Sequence, residues 1–241
     1  MATIFRARPM PRIFREWWVY FLIAFALVAA GFWPTLFAVL TTTDAGHLIH
    51  GLSATAWMSL PIFQAWLIKT RRRKLHRTIG WASPALALVV VLSGLYILQV
   101  MVRRTEDYLL NLKFLFMDLT GLALFCLFLG WAIWAALKRD LGLHLRLIGC
   151  TALIPLEAAM ERLLIIAVPF LTPNFDTALY GSLIFMEFVL AVLIVGEVAL
   201  RRLRWPFPFM AAYYAAMFVF ATPVASSPYF QSFARSFAQL G

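Results

Sequence analysis

Charge is scarce in this sequence. Asp, Glu, Lys and Arg make up 13% of its 241 residues, where a soluble domain carries about a quarter. That shortage excludes a solvated globular surface over most of the chain. What replaces it is apolar: 63% of residues are hydrophobic and the mean hydropathy is +0.84. Acidic residues are the scarcest charge, 11 against 21 Lys and Arg. In a soluble protein such a balance would point to nucleic acid. Here the basic residues fall in short runs between apolar segments, as in membrane proteins with basic cytoplasmic loops, where anionic lipid headgroups are the nearest counter-charge. Only two cysteines occur, Cys126 and Cys150, both inside apolar segments and without metal-ligand spacing. A disulfide framework and a thiolate metal site are thereby excluded. There is no HExxH, and no pair of ExxH motifs such as a carboxylate-bridged di-iron site would need. The last apolar segment has no Lys for a retinal Schiff base, and no His such as the ceramidase-related membrane hydrolases carry there.

What is present is a series of apolar segments. A helix needs about 20 such residues to cross a bilayer, and seven segments qualify: 17–40, 47–69, 79–102, 113–137, 145–168, 178–200 and 207–226. The fold expected is all-α, one integral-membrane bundle of seven helices over 1–241, with short connections and antiparallel neighbours. Arg6, Arg8, Arg12 and Arg15 precede the first span, which lacks a small-residue cleavage site and reads as a retained anchor. Basic runs recur at 69–77, 138–146 and 201–204, while 41–46 and 169–177 have none. Arg103 and Arg104 are the exception, set against Glu106 and Asp107. This bias puts the N-terminus inside and the C-terminus outside a bacterial inner membrane. Trp17, Trp18, Trp33, Trp205 and Tyr229 fall at the expected interfaces. An internal repeat is also read: His50 precedes His76 by the interval at which Asp118 precedes His144, relating helices 2–3 to helices 4–5. Parallel repeats of this sort occur in transporters.

Ionisable residues inside a span are costly and call for a reason. Counted from the inner basic residues at about 1.5 Å each, Glu157 lies roughly 16 Å deep, and Glu161 and Glu187 roughly 21–22 Å. His50 and Asp118 come to roughly 28–30 Å, at the outer boundary, with His47 a turn beyond. Glu157 and Glu161 share a helix face at i, i+4, as His47 and His50 do at i, i+3. Together with Arg162 they would rim an acidic pocket in the outer half. Three chemistries fit it. His47, His50, Asp118, Glu157, Glu161 and Glu187 form a ligand set suited to Zn, Fe or Mn, with Arg162 as charge partner. A buried Glu beside an Arg also suits a proton or cation relay. Alternatively the groups satisfy one another and hold helices together. Glu197 stands apart, four residues before Arg201, and is expected to pair with it structurally. His76 and His144 open spans amid basic residues and read as interfacial; a bis-His haem there would be shallow.

The stretch HGLSATAW, FQAWLI, RRKLHRTIGW and the later LHLRLIGCTALIPLEAAMERL together resemble a group of predicted bacterial inner-membrane proteins to which no activity is assigned. His50-Gly51, Trp57, Gln64, Leu75-His76-Arg77 and Gly80-Trp81 match its first block. His144, Arg146-Leu147, Ala158 and Arg162 match the second more loosely. The resemblance covers about half the chain and implies the architecture without supplying catalytic residues. The function expected from the sequence is a transition-metal site for redox or hydrolytic chemistry on a lipid-soluble substrate. The alternatives are an accessory or assembly subunit of a larger membrane complex, and a proton- or cation-coupled transporter.

Overall fold

The computed structural model describes residues 16–104 and 106–239. The four N-terminal arginines therefore lie outside the described residues. Within them the chain is all-α, with eight α-helices: α1 (Trp17–Gly31), α2 (Ala45–Lys69), α3 (Arg73–Val102), α4 (Tyr108–Leu137), α5 (Leu141–Ala167), α6 (Phe175–Ala199), α7 (Pro206–Ser226) and α8 (Pro228–Ala238). Four of them, α3, α4, α6 and α7, are long and apolar enough to cross a membrane. The molecule is accordingly a helical membrane protein. α2 and α5 are as long, but they carry the polar load. α5 holds Arg146, Glu157, Glu161 and Arg162, and α2 holds two histidines, Ser53, Thr55, Ser59 and Gln64.

α5 is the axis. It packs against α1, α4, α6 and α7, while α2 and α3 close the ring between α1 and α4. Its buried residues include Leu147, Cys150, Leu153, Leu156, Ala159 and Met160, and they face several neighbours at once. A helix enclosed by protein need not be apolar toward lipid, so the polar residues of the chain concentrate there.

The turns α2–α3, α4–α5 and α6–α7 gather at one end, here called the basic end. All three end their helix in the same way. Arg71, Arg139 and Arg201 each adopt a left-handed conformation, with φ of 61°, 60° and 55°. In each turn the next residue's N–H reaches back five residues, from Arg72 to Leu67, Asp140 to Ala135 and Arg202 to Glu197. This is the Schellman cap, which usually uses Gly at that position. Asp140 then caps α5 by accepting from Leu143 N–H, as Asp44 caps α2 at the far end through Gly46 and His47.

Two elements depart from expectation. The first helix does not run to residue 40: it stops at Gly31, and turns with a short 3₁₀ segment (Phe37–Val39) follow. A Cβ on Gly31 would stand 2.5 Å from the Ala159 carbonyl oxygen of α5, so α1 can approach α5 this closely only through glycine. Pro34 has no N–H with which to continue the ladder. The second departure is α8, beyond the last expected span. Its Phe230, Phe233 and Phe237 follow helical spacing and its rings pack on one another, with Phe116 of α4 against Phe230. α8 seats on the far end of α3, where Gln99 and Arg103 donate to the carbonyls of Phe237 and Ala238.

Candidate functional site

A buried carboxyl cluster is built where α4, α5 and α6 meet. Glu157 and Glu161 of α5 are both buried, one turn apart on the same helix. Glu157 accepts from Ser182 Oγ of α6 at 2.5 Å. Asp118 of α4 faces them closely enough to act on both electrostatically. Arg162 completes the group. Its Nη1 stands 3.9 Å from Glu161 and donates to the Ala158 carbonyl at 2.6 Å. Its guanidinium lies 4.4 Å from the centroid of Phe32, the first residue past the end of α1. The early stop of α1 therefore puts an aromatic cover on the cluster's single cation, a cation–π contact. The two glutamates are buried, and Arg162 beside them is partly exposed.

Aromatic hydroxyls of α7 surround it. Tyr213 donates to the Met117 carbonyl and pairs with Thr120 at 3.0 Å. Tyr214 donates to the Leu153 carbonyl. Toward the far end, Lys113 of α4 is buried and pairs with Asp176 of α6 at 2.5 Å, its ammonium 5.3 Å from the Tyr180 ring. Lys113 precedes Asp118 by five residues and Asp176 precedes Ser182 by six, so this pair stands roughly 8–9 Å beyond the cluster.

The residues expected as metal ligands divide. Asp118, Glu157 and Glu161 come together with Arg162. His47 is held at the rim by Asp44, Nδ1 to Oδ2 at 2.5 Å. His50 turns to α3 and bonds Ser93 Oγ through Nδ1 at 3.1 Å. Glu187 of α6 has one buried carboxyl oxygen unpartnered among the described residues. No group of three or more His, Cys, Asp or Glu that could hold a metal ion occurs among the described residues. Glu197 requires a correction: the cation on its carboxylate is Arg146 of α5, Nε to Oε1 at 2.5 Å, both side chains buried. Arg146 is further tied to the carbonyls of Gly142 and Arg202, and Glu197 accepts the Arg204 N–H.

Residues of the quoted pattern also acquire contacts. With its side-chain nitrogen toward His76, the Gln64 amide donates to the His76 carbonyl at 3.2 Å and accepts from Gly80 N–H at 3.2 Å. It thus inserts between two groups that a regular helix would join directly. His50–Ser93 and Gln64–His76 pin the two ends of the α2–α3 pair. His144 Nδ1–H donates to the Ala132 carbonyl, 2.9 Å away and twelve residues back, as His76 stands twelve after Gln64. Trp57 packs edge-on to Phe125 at 4.8 Å.

Sequence reasoning missed Phe32, Lys113, Ser182 and the two tyrosines. Lys113 and Asp176 carried a signal, a cation and an anion at the same end of neighbouring spans. The others carried none, because a lone Phe or Tyr in an apolar segment looks like core. Comparison with family models, with curated proteins and with solved structures returned no match for this chain.

Proposed function

We propose that this chain is a seven-span protein of the bacterial inner membrane, N-terminus inside and C-terminus outside, that couples proton binding at Glu157 and Glu161 to the passage of a solute or cation. The observation that carries the reading is the burial of two glutamates one turn apart on α5 with a single cation, Arg162, beside them. Two buried carboxyls with one cation beside them are least costly when they share a proton. Two like charges one helical turn apart, about 6 Å, repel by about 3 kcal/mol at an effective dielectric near 20. Loss of the shared proton would therefore bias a two-state bundle by about a hundredfold. Arg162 offsets one negative charge of three. Partial exposure of Arg162 supports access from the outer side, and the Lys113–Asp176 pair supports a closed gate above the cluster.

Infrared spectroscopy of the purified protein in lipid tests this. A protonated-carboxyl stretching band should persist at neutral pH and disappear in the Glu157→Gln, Glu161→Gln double variant. A spectrum with no such band at neutral pH overturns the proposal.

A second reading keeps the metal. It is favoured by two buried carboxyls one turn apart on α5, which would need Asp118 to close on them before three carboxylates met at one ion. A Zn, Fe or Mn ion would displace the shared proton, and His47 and His50 would have to leave Asp44 and Ser93 to join it. Near-stoichiometric metal in the same preparation, lost in a His50→Ala, Glu161→Ala double variant, would decide for this reading.

A further inference from the structure

The α2–α3 turn at the basic end carries five cations in seven residues: Arg71, Arg72, Arg73, Lys74 and Arg77, all exposed. Three basic side chains elsewhere at this end are met by carboxylates. Asp140 holds Arg204, Glu197 holds Arg146 and Glu16 holds Lys69. Among the described residues no carboxylate pairs with any of the five, and Arg72 instead lies 5.3 Å over the Trp66 ring. Their counter-charge must come from outside the described chain.

The shape of the surface says what kind. Arg73, Lys74, Arg77, Thr78 and Trp81 line a shallow groove of about 390 Å³. Trp81 is 61% exposed at its edge. Beyond it the same face of α3 continues as exposed apolar side chains, Ala85, Leu88 and Leu92, at helical spacing. The groove is therefore cationic at one end and opens without interruption onto a face suited to hydrocarbon. A soluble anion would use only the first half of this surface.

We propose that the groove is a binding site for an anionic phospholipid of the surrounding leaflet. Arg73, Lys74 and Arg77 take the headgroup phosphate, the Trp81 ring covers the glycerol region, and an acyl chain lies along Ala85, Leu88 and Leu92. Basic pockets beside membrane helices recognise such headgroups through charge, with the aromatic ring at the interfacial level. The proposal rests on the chain lying in a bilayer and is independent of what the carboxyl cluster does.

Native mass spectrometry of the full chain in detergent, delipidated and then titrated with phosphatidylglycerol or phosphatidylcholine, tests it. The expected result is one retained phosphatidylglycerol, held about tenfold or more above phosphatidylcholine. The Arg73→Gln, Lys74→Gln, Arg77→Gln triple variant should lose that preference. A Lys138→Gln, Arg139→Gln variant, which removes charge from the neighbouring turn, should keep it. Trp81→Ala should weaken retention without abolishing the preference for the anionic lipid. If the triple variant does not fold, Arg77→Gln alone should show a reduced preference. Equal retention of the two lipids, equal loss in the neighbouring-turn variant, or displacement of the lipid by millimolar inorganic phosphate would each overturn the proposal. The last would mark a phosphate site indifferent to the lipid.

Discussion

Arg146 and Glu197 show how a single pair is decided by geometry that sequence spacing does not contain. The i, i+4 rule joins Glu197 to Arg201 only if the helix continues through both. α6 ends at Ala199, and Arg201 lies past the cap at φ 55°, off the helix face. Glu197 is left to face α5, where Arg146 arrives with its Nε. Both charges are buried, so removing one strands the other, at a cost of about 3–5 kcal/mol. Glu197→Ala should therefore lower stability by about 3 kcal/mol, read as thermal or denaturant unfolding in detergent by circular dichroism. Glu197→Gln should cost less, because its amide oxygen still accepts from Arg146 and the Arg204 N–H. Replacing both Arg146 and Glu197 by Met should recover most of the loss. Glu157 and Glu161 are the opposite case. Their i, i+4 spacing lies wholly inside α5, the helix continues through both, and the shared face expected of them is the one they occupy.

The helices owe their ends to local chemistry and their neighbours to shape. Three hairpins close on an arginine in the left-handed region, a conformation that costs a non-glycine residue about 1–2 kcal/mol. Gly removes that strain but loses about 0.5–1 kcal/mol of chain entropy on folding. Arg139→Gly should therefore raise stability by up to about 1 kcal/mol. Arg139→Ala should give no such gain, and melting temperatures of the two variants in one detergent make the comparison. The retention of arginine at a position suited to glycine fits a role for charge at this end of the bundle. The α2–α3 pair depends instead on side chains, through Gln64 at one end and His50 at the other. Gln64→Ala would leave the Gly80 N–H and His76 carbonyl without the amide that bridges them. Hydrogen exchange at the start of α3 should then quicken while α6 and α7 are unchanged. α8 was illegible to a search for long apolar runs, because 11 residues of alternating character make an interfacial helix and not a span.

At the scale of the molecule, the polar α5 sits at the centre, packed by α1, α4, α6 and α7, and much of the outward surface is apolar. The charged groups left in water are the loop pairs, and these set the response to acid. Arg204, and after it the Leu143 N–H, hold Asp140 below the ordinary carboxylate range; the His47 N–H does the same for Asp44, and Lys69 for Glu16. A carboxylate with a depressed folded pKa contributes stability above its unfolded value of about 4, and that stability is lost as pH falls through the folded value. Thermal stability should stay level from neutral pH down to about 4, decline below it, and decline less steeply in Asp140→Asn. The helical class, the basic end and the sites of the α2 to α7 segments were determined by the sequence alone, because hydropathy and loop charge are summed over many residues and tolerate local error. The Glu157–Glu161 face was legible for a narrower reason, since both residues lie on one continuous helix. Only the tertiary structure decided which carboxyls meet Asp118, that His47 and His50 turn elsewhere, and that α1 stops to lay Phe32 over Arg162. Those outcomes depend on helix rotation and on a contact as close as Gly31 on Ala159, and a rotation of one residue, about 100°, leaves composition and periodicity unchanged.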